Sequence, residues 1–335
     1  MNNGNLTPIA VLGAGSWGTA LALNLARRGQ SVRLWSQNEA HIADMSTTRR
    51  NLRYLADHVF PESLTLTTEL SEAIQDDCDI LIAIPSAGFR DMLLKLKPLL
   101  KKPARILWVT KGIDTNTGQL LDDVAKEILG ESHGLAVLSG PSFASEVAAG
   151  LPTAVVIASE NASFANDLMQ RFNSPIFRTY LSTDMTGVEV GGAVKNVLAV
   201  ATGIADGMKL GANARSALIT RGLAEMVRLG LALGGQNETF MGLSGLGDLI
   251  LTCTDNQSRN KRFGLALGSG KSTEEAEREI GQVIEGKRNA ELVVKLANKM
   301  HVEMPISTTV WEILQGKVTL QDAMQQLLTR APKAE

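Results

Sequence analysis

Lys195 and Asn196 stand near the middle of EVGGAVKNVLAVATGIADG, residues 189–207, a stretch otherwise built almost wholly of small and apolar residues. A lysine in such a helix has two readings. At the helix edge its ammonium reaches water, as long cationic side chains do. Turned into a cleft, it donates a proton or a hydrogen bond to a bound molecule. Further along, Asp248 follows the glycine-rich MGLSGLG and is expected behind a flexible loop, while Ser258, Arg259 and Asn260 open an apparent helix. Ser258 can cap that helix, its free N–H groups favour an anion, and the planar fork of Arg259 suits phosphate oxygens. Taken alone, that segment reads more simply as an ordinary cap with its arginine in solvent.

A second constellation lies at the start of the chain. PIAVLGAGSWGTALA, residues 8–22, runs from an apolar strand through Gly13, Gly15, Ser16, Trp17 and Gly18 into a helix. In that setting Gly13 permits the tight turn, Gly15 lets the backbone approach a pyrophosphate, and Gly18 lets helix and strand pack closely. The alternative is a structural turn without a ligand. The next strand, SVRLWSQN, ends in Ser36, Gln37 and Asn38, with no carboxylate to bind a ribose 2′-OH and repel a 2′-phosphate. NADPH is therefore permitted, with Arg49, Arg50 and Arg53 as phosphate partners or else as a solvated helix face. WVTKGID sets Lys111 after one strand, and LSGPSFASE sets Gly140 and Ser142 after another. The carboxyl ends of parallel strands face the ligand crevice, so both loops are expected beside the glycine-rich turn. Their plainer readings are a surface lysine and a helix-capping serine. Gly-Leu-Ser-Gly-Leu around Ser244 lacks the spacing of a nucleophile elbow. His41, His58, His133 and His301 are scattered without metal-ligand spacing, so no metal is expected.

The elements that must position these residues follow from two periodicities. PIAVLG, SVRLWS, DILIAIP, ARILWVT, LAVLSG and TAVVIAS are apolar at successive positions, as strands covered on both faces are, and helical spacing fills the intervals. This is a doubly wound α/β domain with a parallel sheet. After FRTYLSTD the strand-like runs stop, and the rest reads as helix. The expected division is a Rossmann-like dinucleotide-binding domain, 1–182, and an all-helical domain, 183–335, with the active site in the cleft between them. The 335 residues suffice for two cores, and 44% hydrophobic with 20% charged residues is ordinary for a globular protein. A net charge of −2 gives no electrostatic case for nucleic acid or anionic lipid. Cys78 and Cys253 are too few for a disulfide framework. The opening MNNGNLTPIAVLG has no basic leader, and the longer apolar stretches are interrupted before the ~20 residues of a membrane span. A cytoplasmic protein without membrane insertion is expected.

GAGSWGTALA, TKGI, SGPSFA, GGAVKN, GLGDLILTCT, SRN, GQVIEG and VEMPI together resemble, in order and spacing, the bacterial NAD(P)-dependent sn-glycerol 3-phosphate dehydrogenases of the soluble, biosynthetic type. The resemblance runs from the first strand to the last helix. It implies reduction of dihydroxyacetone phosphate to sn-glycerol 3-phosphate with NADPH or NADH, supplying the backbone of phospholipids. It implies Lys195 as the catalytic acid and base, with Lys111, Gly140, Ser142, Asp248, Ser258, Arg259 and Asn260 around the substrate. The implied cofactor contacts are Ser16, Trp17, Gln37, Tyr54, Lys111, Ala144, Arg259, Val283 and Glu285. Gln37 stands where many relatives have His or Arg, so the resemblance does not choose between NADPH and NADH. A homodimer is compatible with it, although no motif specifies assembly. Two other readings stay open: a two-domain dehydrogenase of a β-hydroxyacid or sugar acid, and a dinucleotide sensor without catalysis. The protonation of Lys195 is also open, since burial lowers a lysine pKa and a neighbouring Asp248 raises it.

Overall fold

A computed structural model describes residues 7–75 and 78–329. Residues 1–6, where no leader was expected, and 330–335, the end of the expected helical domain, lie outside the described residues. The first half runs β1 (Ile9–Leu12), α1 (Ser16–Ala26), β2 (Val32–Trp35), α2 (Glu39–Thr48), β3 (Arg50–Asn51), β4 (Leu55–Val59) and β5 (Leu64–Thr67). It continues with α3 (Leu70–Ala73), β6 (Asp79–Ile82), α4 (Phe89–Leu96), β7 (Arg105–Trp108) and α5 (Leu121–Leu129). It closes with β8 (Gly134–Ser139), α6 (Ala144–Ala149), β9 (Thr153–Ala158), α7 (Ala162–Phe172) and β10 (Phe177–Ser182).

Eight of these strands form one sheet in the order β10-β9-β8-β7-β6-β1-β2-β5, with β3 and β4 paired apart as a small hairpin. Ile9, Val11, Leu81 and Leu107 pack on one face, and Ala10, Leu12, Ile82 and Trp108 on the other. Both faces are thus covered, as the unbroken apolar runs require. The sheet departs from the all-parallel expectation at β9, which runs antiparallel to β8. An apolar run such as TAVVIAS is covered on both faces in either direction, so its composition does not fix which way it runs. β9 and β10, joined through α7, are again parallel.

The second half consists of α8 (Met185–Gly207), α9 (Gly211–Ala232), α10 (Asn237–Met241), a π-helical turn at Leu243–Gly247, α11 (Asp248–Thr254) and α12 (Arg259–Gly268). Then follow α13 (Thr273–Ile280), α14 (Glu285–Lys299), α15 (Pro305–Leu314) and α16 (Leu320–Leu328). Asp184 caps α8 by accepting from Gly187 N–H at 2.8 Å. The helix is 23 residues long, and by length and composition it could cross a membrane. That corrects the expectation that no apolar stretch reaches such a length; here the apolar stretch is wholly buried, by α9, α11, α12, α14 and the sheet. Contact with α12 is at backbone distance. A Cβ on Gly203 would lie 2.1 Å from the Lys261 carbonyl oxygen, and one on Gly264 2.1 Å from that of Val200. This crossing fixes the start of α12, with Ser258 and Arg259, relative to Lys195.

Candidate active site

Lys195 is turned inward. It is 6% exposed, and its Nζ donates to Asp248 Oδ1 at 2.6 Å and to Thr252 Oγ1 at 2.9 Å. The hydroxyl proton of Thr252 is committed to the Asp248 carbonyl at 2.6 Å, so Thr252 meets the lysine as an acceptor. Lys111, from the loop after β7, donates to the other carboxylate oxygen, Oδ2, at 2.6 Å and lies 3.5 Å from the Gly140 carbonyl. One carboxylate from the helical half is thus held between two ammonium groups, one from each half of the chain. With Lys195 protonated, the tally of charge is one positive in excess. An ammonium has three N–H donors, of which Lys195 spends two on these partners, leaving one for a bound molecule.

Burial pushes the Lys195 pKa down from 10.5 to about 7; Asp248 opposes the shift, and the Lys111 charge adds to it. Burial alone would raise Asp248, but the two ammonium groups outweigh it and hold the carboxyl below its usual range. Asp248 does not sit behind a flexible loop. The glycine-rich segment is the π-helical turn that leads directly into α11, and a Cβ on Gly245 would lie 2.2 Å from the Phe240 carbonyl oxygen. Gly245 serves close packing.

The loops after β7 and β8 are brought to the same side. Gly140 has φ +147°, and a Cβ there would strike Val155 Cα at 2.9 Å. Ser142 donates to the Gly140 carbonyl at 2.9 Å instead of capping α6, whose N-cap is Phe143. Ala144 opens α6 and is half-buried.

The glycine-rich turn fits a dinucleotide. Gly13 has φ +123°, and its Cβ would lie 2.5 Å from the Ala83 carbonyl oxygen; that of Gly18 would lie 2.0 Å from the Gly13 carbonyl oxygen. At Gly15, by contrast, a Cβ meets nothing within 4 Å, so the backbone is open to an approaching group. Gly15 is the N-cap of α1 and offers no side-chain cap, which leaves the N–H groups at Ser16 and beyond for an anion. The indole Nε1 of Trp17 is buried without a hydrogen-bond partner. Asn51, fully buried, donates to the Ala14 carbonyl at 3.0 Å and to Thr19 Oγ1 at 2.8 Å, tying the β3–β4 hairpin to this turn.

Arg49 is the C-cap of α2, Arg50 opens β3 and Arg53 lies in the turn of the hairpin, so the three do not form a helix face. Arg49 donates to the carbonyls of Phe60, Pro61 and Leu64, an internal role that corrects its reading as a phosphate partner. Arg50 donates to the Ala56 carbonyl, and exposed Arg53 lies over the Tyr54 ring at 5.3 Å. Gln37 is exposed beyond β2.

Ser258 caps α12, accepting from Lys261 N–H at 3.2 Å. Arg259 is exposed and donates to Gln282 Oε1 at 3.1 Å, within electrostatic reach of Glu285 and Tyr54. Asn260 donates to Asn196 Oδ1 at 2.8 Å and accepts from Gly286 N–H at 2.9 Å, which joins α12 to α8 and to the start of α14. This accounts for Asn196 beside Lys195 in the sequence. Glu285 accepts from Ser86 Oγ at 3.0 Å, and burial pushes its pKa up. Val283 is 46% exposed. Among the described residues no group of three or more His, Cys, Asp or Glu side chains is disposed to hold a metal ion.

Sequence reasoning missed Thr252, Ser86 and Asn289. Thr252 lies four residues after Asp248, one helical turn on, and that spacing was its available signal. Asn289 is fully buried with its Oδ1 unpartnered, 3.1 Å from where a Cβ on Gly112 would stand. No local pattern marks it or Ser86.

Family models match both halves of the chain. The one described as NAD-dependent glycerol-3-phosphate dehydrogenase N-terminus covers residues 8–165, and its C-terminal counterpart covers 184–325. Glycerol-3-phosphate dehydrogenase (NAD(P)+) of Haemophilus influenzae is 53% identical over 330 residues, 98% of this chain and 98% of that one. The protein of the same name from Haemophilus ducreyi is 53% identical over 336 residues, the full length of both. The crystal structure of glycerol-3-phosphate dehydrogenase from Coxiella burnetii shares the fold with a TM-score of 0.94 at 53% identity, covering 97% of this chain and 99% of that one. With both halves matched and the relatives aligned end to end, the chain belongs to the NAD-dependent glycerol-3-phosphate dehydrogenase family.

Proposed function

We propose that this protein reduces dihydroxyacetone phosphate to sn-glycerol 3-phosphate with NADPH or NADH, reversibly, and so supplies glycerol phosphate for phospholipid synthesis. The observation that carries the reading is the Lys195–Asp248–Lys111 cluster, which has one positive charge in excess when Lys195 is protonated, at the same sheet edge as the open glycine-rich turn. Such a site favours a carbonyl whose oxygen gains negative charge in the transition state. The test is NADPH oxidation followed at 340 nm with dihydroxyacetone phosphate. Turnover of 2-keto acids with none of this substrate would overturn the assignment.

The dinucleotide is held by Gly13, Gly15, Ser16, Trp17 and Gly18, with Gln37, Tyr54, Lys111, Ala144, Arg259, Val283 and Glu285 completing its contacts. When bound, the reduced nicotinamide supplies a hydride. Lys195 directs its unspent N–H at the substrate carbonyl oxygen, stabilises the developing charge and delivers the proton. Asp248 orients Lys195, and Thr252 fixes the second of its N–H bonds. Lys111 keeps Asp248 ionised while Lys195 passes between its charged and neutral forms. In the reverse direction neutral Lys195 takes the proton from the alcohol.

Arg259 and the N–H groups at the start of α12 bind the substrate phosphate. Ser258 contributes its hydroxyl proton, because its oxygen is already an acceptor for Lys261 N–H. Gly140 and Ser142 shape the wall opposite, and Asn260 keeps α12 in register with Lys195. Remote binding of the phosphate then orients the carbonyl for transfer.

The same reading divides the chain into a cofactor domain, 1–182, and a substrate domain, 183–335. Its partners are small molecules, with neither nucleic acid nor membrane insertion, in a homodimer acting in the cytoplasm. The modest net charge supports the exclusion of nucleic acid.

A further inference from the structure

Glu189 is a second ionisable side chain enclosed on α8, and the chemistry above does not use it. It is 4% exposed, as enclosed as Lys195 six residues later. Its Oε1 accepts from the indole Nε1 of Trp108 at 2.8 Å, and its Oε2 from the backbone N–H of Asp122 at 3.3 Å. Trp108 is the last residue of β7, three residues before Lys111, and Asp122 lies in the first turn of α5. Along α8, Glu189 precedes Lys195 by ~9 Å. One carboxyl group therefore joins the strand that leads to Lys111 to the helix that carries Lys195. Those two lysines must meet the same carboxylate at 2.6 Å.

We propose that Glu189 is a positioning residue of the reaction, its carboxyl group locking α8 to β7 and α5 so that Lys195 and Lys111 close on Asp248 in a single register. The inference rests on Lys195 being the acid assigned above.

The electrostatics agree with this geometry. No cation pairs with Glu189 among the described residues; burial and then the charge of Asp122 push its pKa up to about 8, so the group is mostly neutral at pH 7. The charged groups facing it are Asp122 and Asp123 of α5, while Lys126 is taken by Asp122 at 2.9 Å and by Glu160 at 3.3 Å. Asp122 Oδ1 is buried without a hydrogen-bond partner, and its charge opposes ionisation of Glu189. A carboxyl group can accept from an indole and a backbone N–H at once, whereas an apolar side chain of the same size can do neither.

The test compares Glu189→Gln, Glu189→Leu and Trp108→Phe in the full chain, reading thermal unfolding, NADPH binding by fluorescence, kcat, KM and the pH profile of kcat/KM. Glutamine keeps an acceptor oxygen for the Trp108 indole, the shorter of the two bonds, and loses the one to the Asp122 N–H. Leucine keeps the bulk and loses both bonds. The leucine variant is expected to bind NADPH as wild type does. Its kcat should fall by about ten- to a hundredfold with a much smaller change in KM, as misplacement of a catalytic group does. Its alkaline pH limb should move, because Lys195 no longer holds its place beside Asp248 and Lys111. The glutamine variant should recover most of kcat and the wild-type limb. A leucine variant that is less stable but has wild-type kcat and limb would reduce Glu189 to a structural residue and overturn the proposal. So would a glutamine variant as impaired as the leucine one. If leucine prevents folding, Trp108→Phe decides: it must lower kcat and move the limb, and an unchanged limb contradicts the proposal. A wild-type protein inactive on dihydroxyacetone phosphate would instead count against the reaction, separately from Glu189.

Discussion

Two cations on one carboxylate make Lys195 sensitive to its neighbours. With its pKa lowered by burial to about 7, the ammonium form, which donates the proton, is present below that pH and lost above it. The kcat/KM for reduction should therefore fall as pH rises through about 7, while that for glycerol 3-phosphate oxidation rises through the same range. Lys111→Met removes a like charge whose presence depresses Lys195, so the limb should move to higher pH in both directions. An unmoved limb would show that the titrating group is another residue. Arg259 supplies the second residue-scale test. A guanidinium contact to phosphate contributes on the order of 2 to 4 kcal/mol, so Arg259→Ala should lower kcat/KM by about one to three decades. Arg259→Lys should rescue part of this, keeping the charge and losing the fork. Unphosphorylated dihydroxyacetone is the control: an equal loss on both substrates would assign Arg259 to the cofactor or the fold.

Elements decide where those residues stand. The α8–α12 crossing sets the start of α12, and Gly264 allows it: its Cβ would lie 2.1 Å from the Val200 carbonyl oxygen. Gly264→Ala must push backbone against backbone and should cost at least the ~1 to 3 kcal/mol of an overpacked core, read as a lower Tm. Retained Tm would mean that the helices separate freely. At the end of β2, Gln37→Asp introduces a carboxylate beside the expected ribose site and should shift the kcat/KM ratio from NADPH toward NADH. An unchanged ratio would move recognition of the 2′-phosphate elsewhere, for example to Arg53 over Tyr54. Local features of this kind were legible in the sequence. The turn from Gly13 to Gly18 needs only its flanking strand and helix to be understood, and the apolar runs predict a sheet covered on both faces. The reversal of β9 was not legible, because an unbroken apolar run fits a parallel or an antiparallel neighbour alike. The π-helical turn before Asp248 was read as a flexible loop, since glycine serves close packing and mobility alike.

At the scale of the whole molecule, the site exists only where the two halves meet. Lys111 and Gly140 come from the strand ends, and Lys195, Asp248 and Thr252 from the helices, with 53 residues separating Lys195 from its carboxylate. Residue types and spacing single out each partner, but the pairing is a tertiary fact that no local pattern contains. Glu189 and Asn289 were unread for the same reason: each is one polar residue in an apolar or helical run, and its partners lie far away in sequence. The account's central claim is that Lys195 supplies the proton in reduction of dihydroxyacetone phosphate. Its most direct test is stopped-flow single turnover, with enzyme in excess over NADPH and saturating dihydroxyacetone phosphate, in wild type and Lys195→Ala. Wild type is predicted to consume the NADPH in one rapid phase, while Lys195→Ala binds NADPH with nearly unchanged affinity and transfers hydride at least about a thousandfold more slowly. NADPH consumed by Lys195→Ala at close to the wild-type rate would contradict the claim.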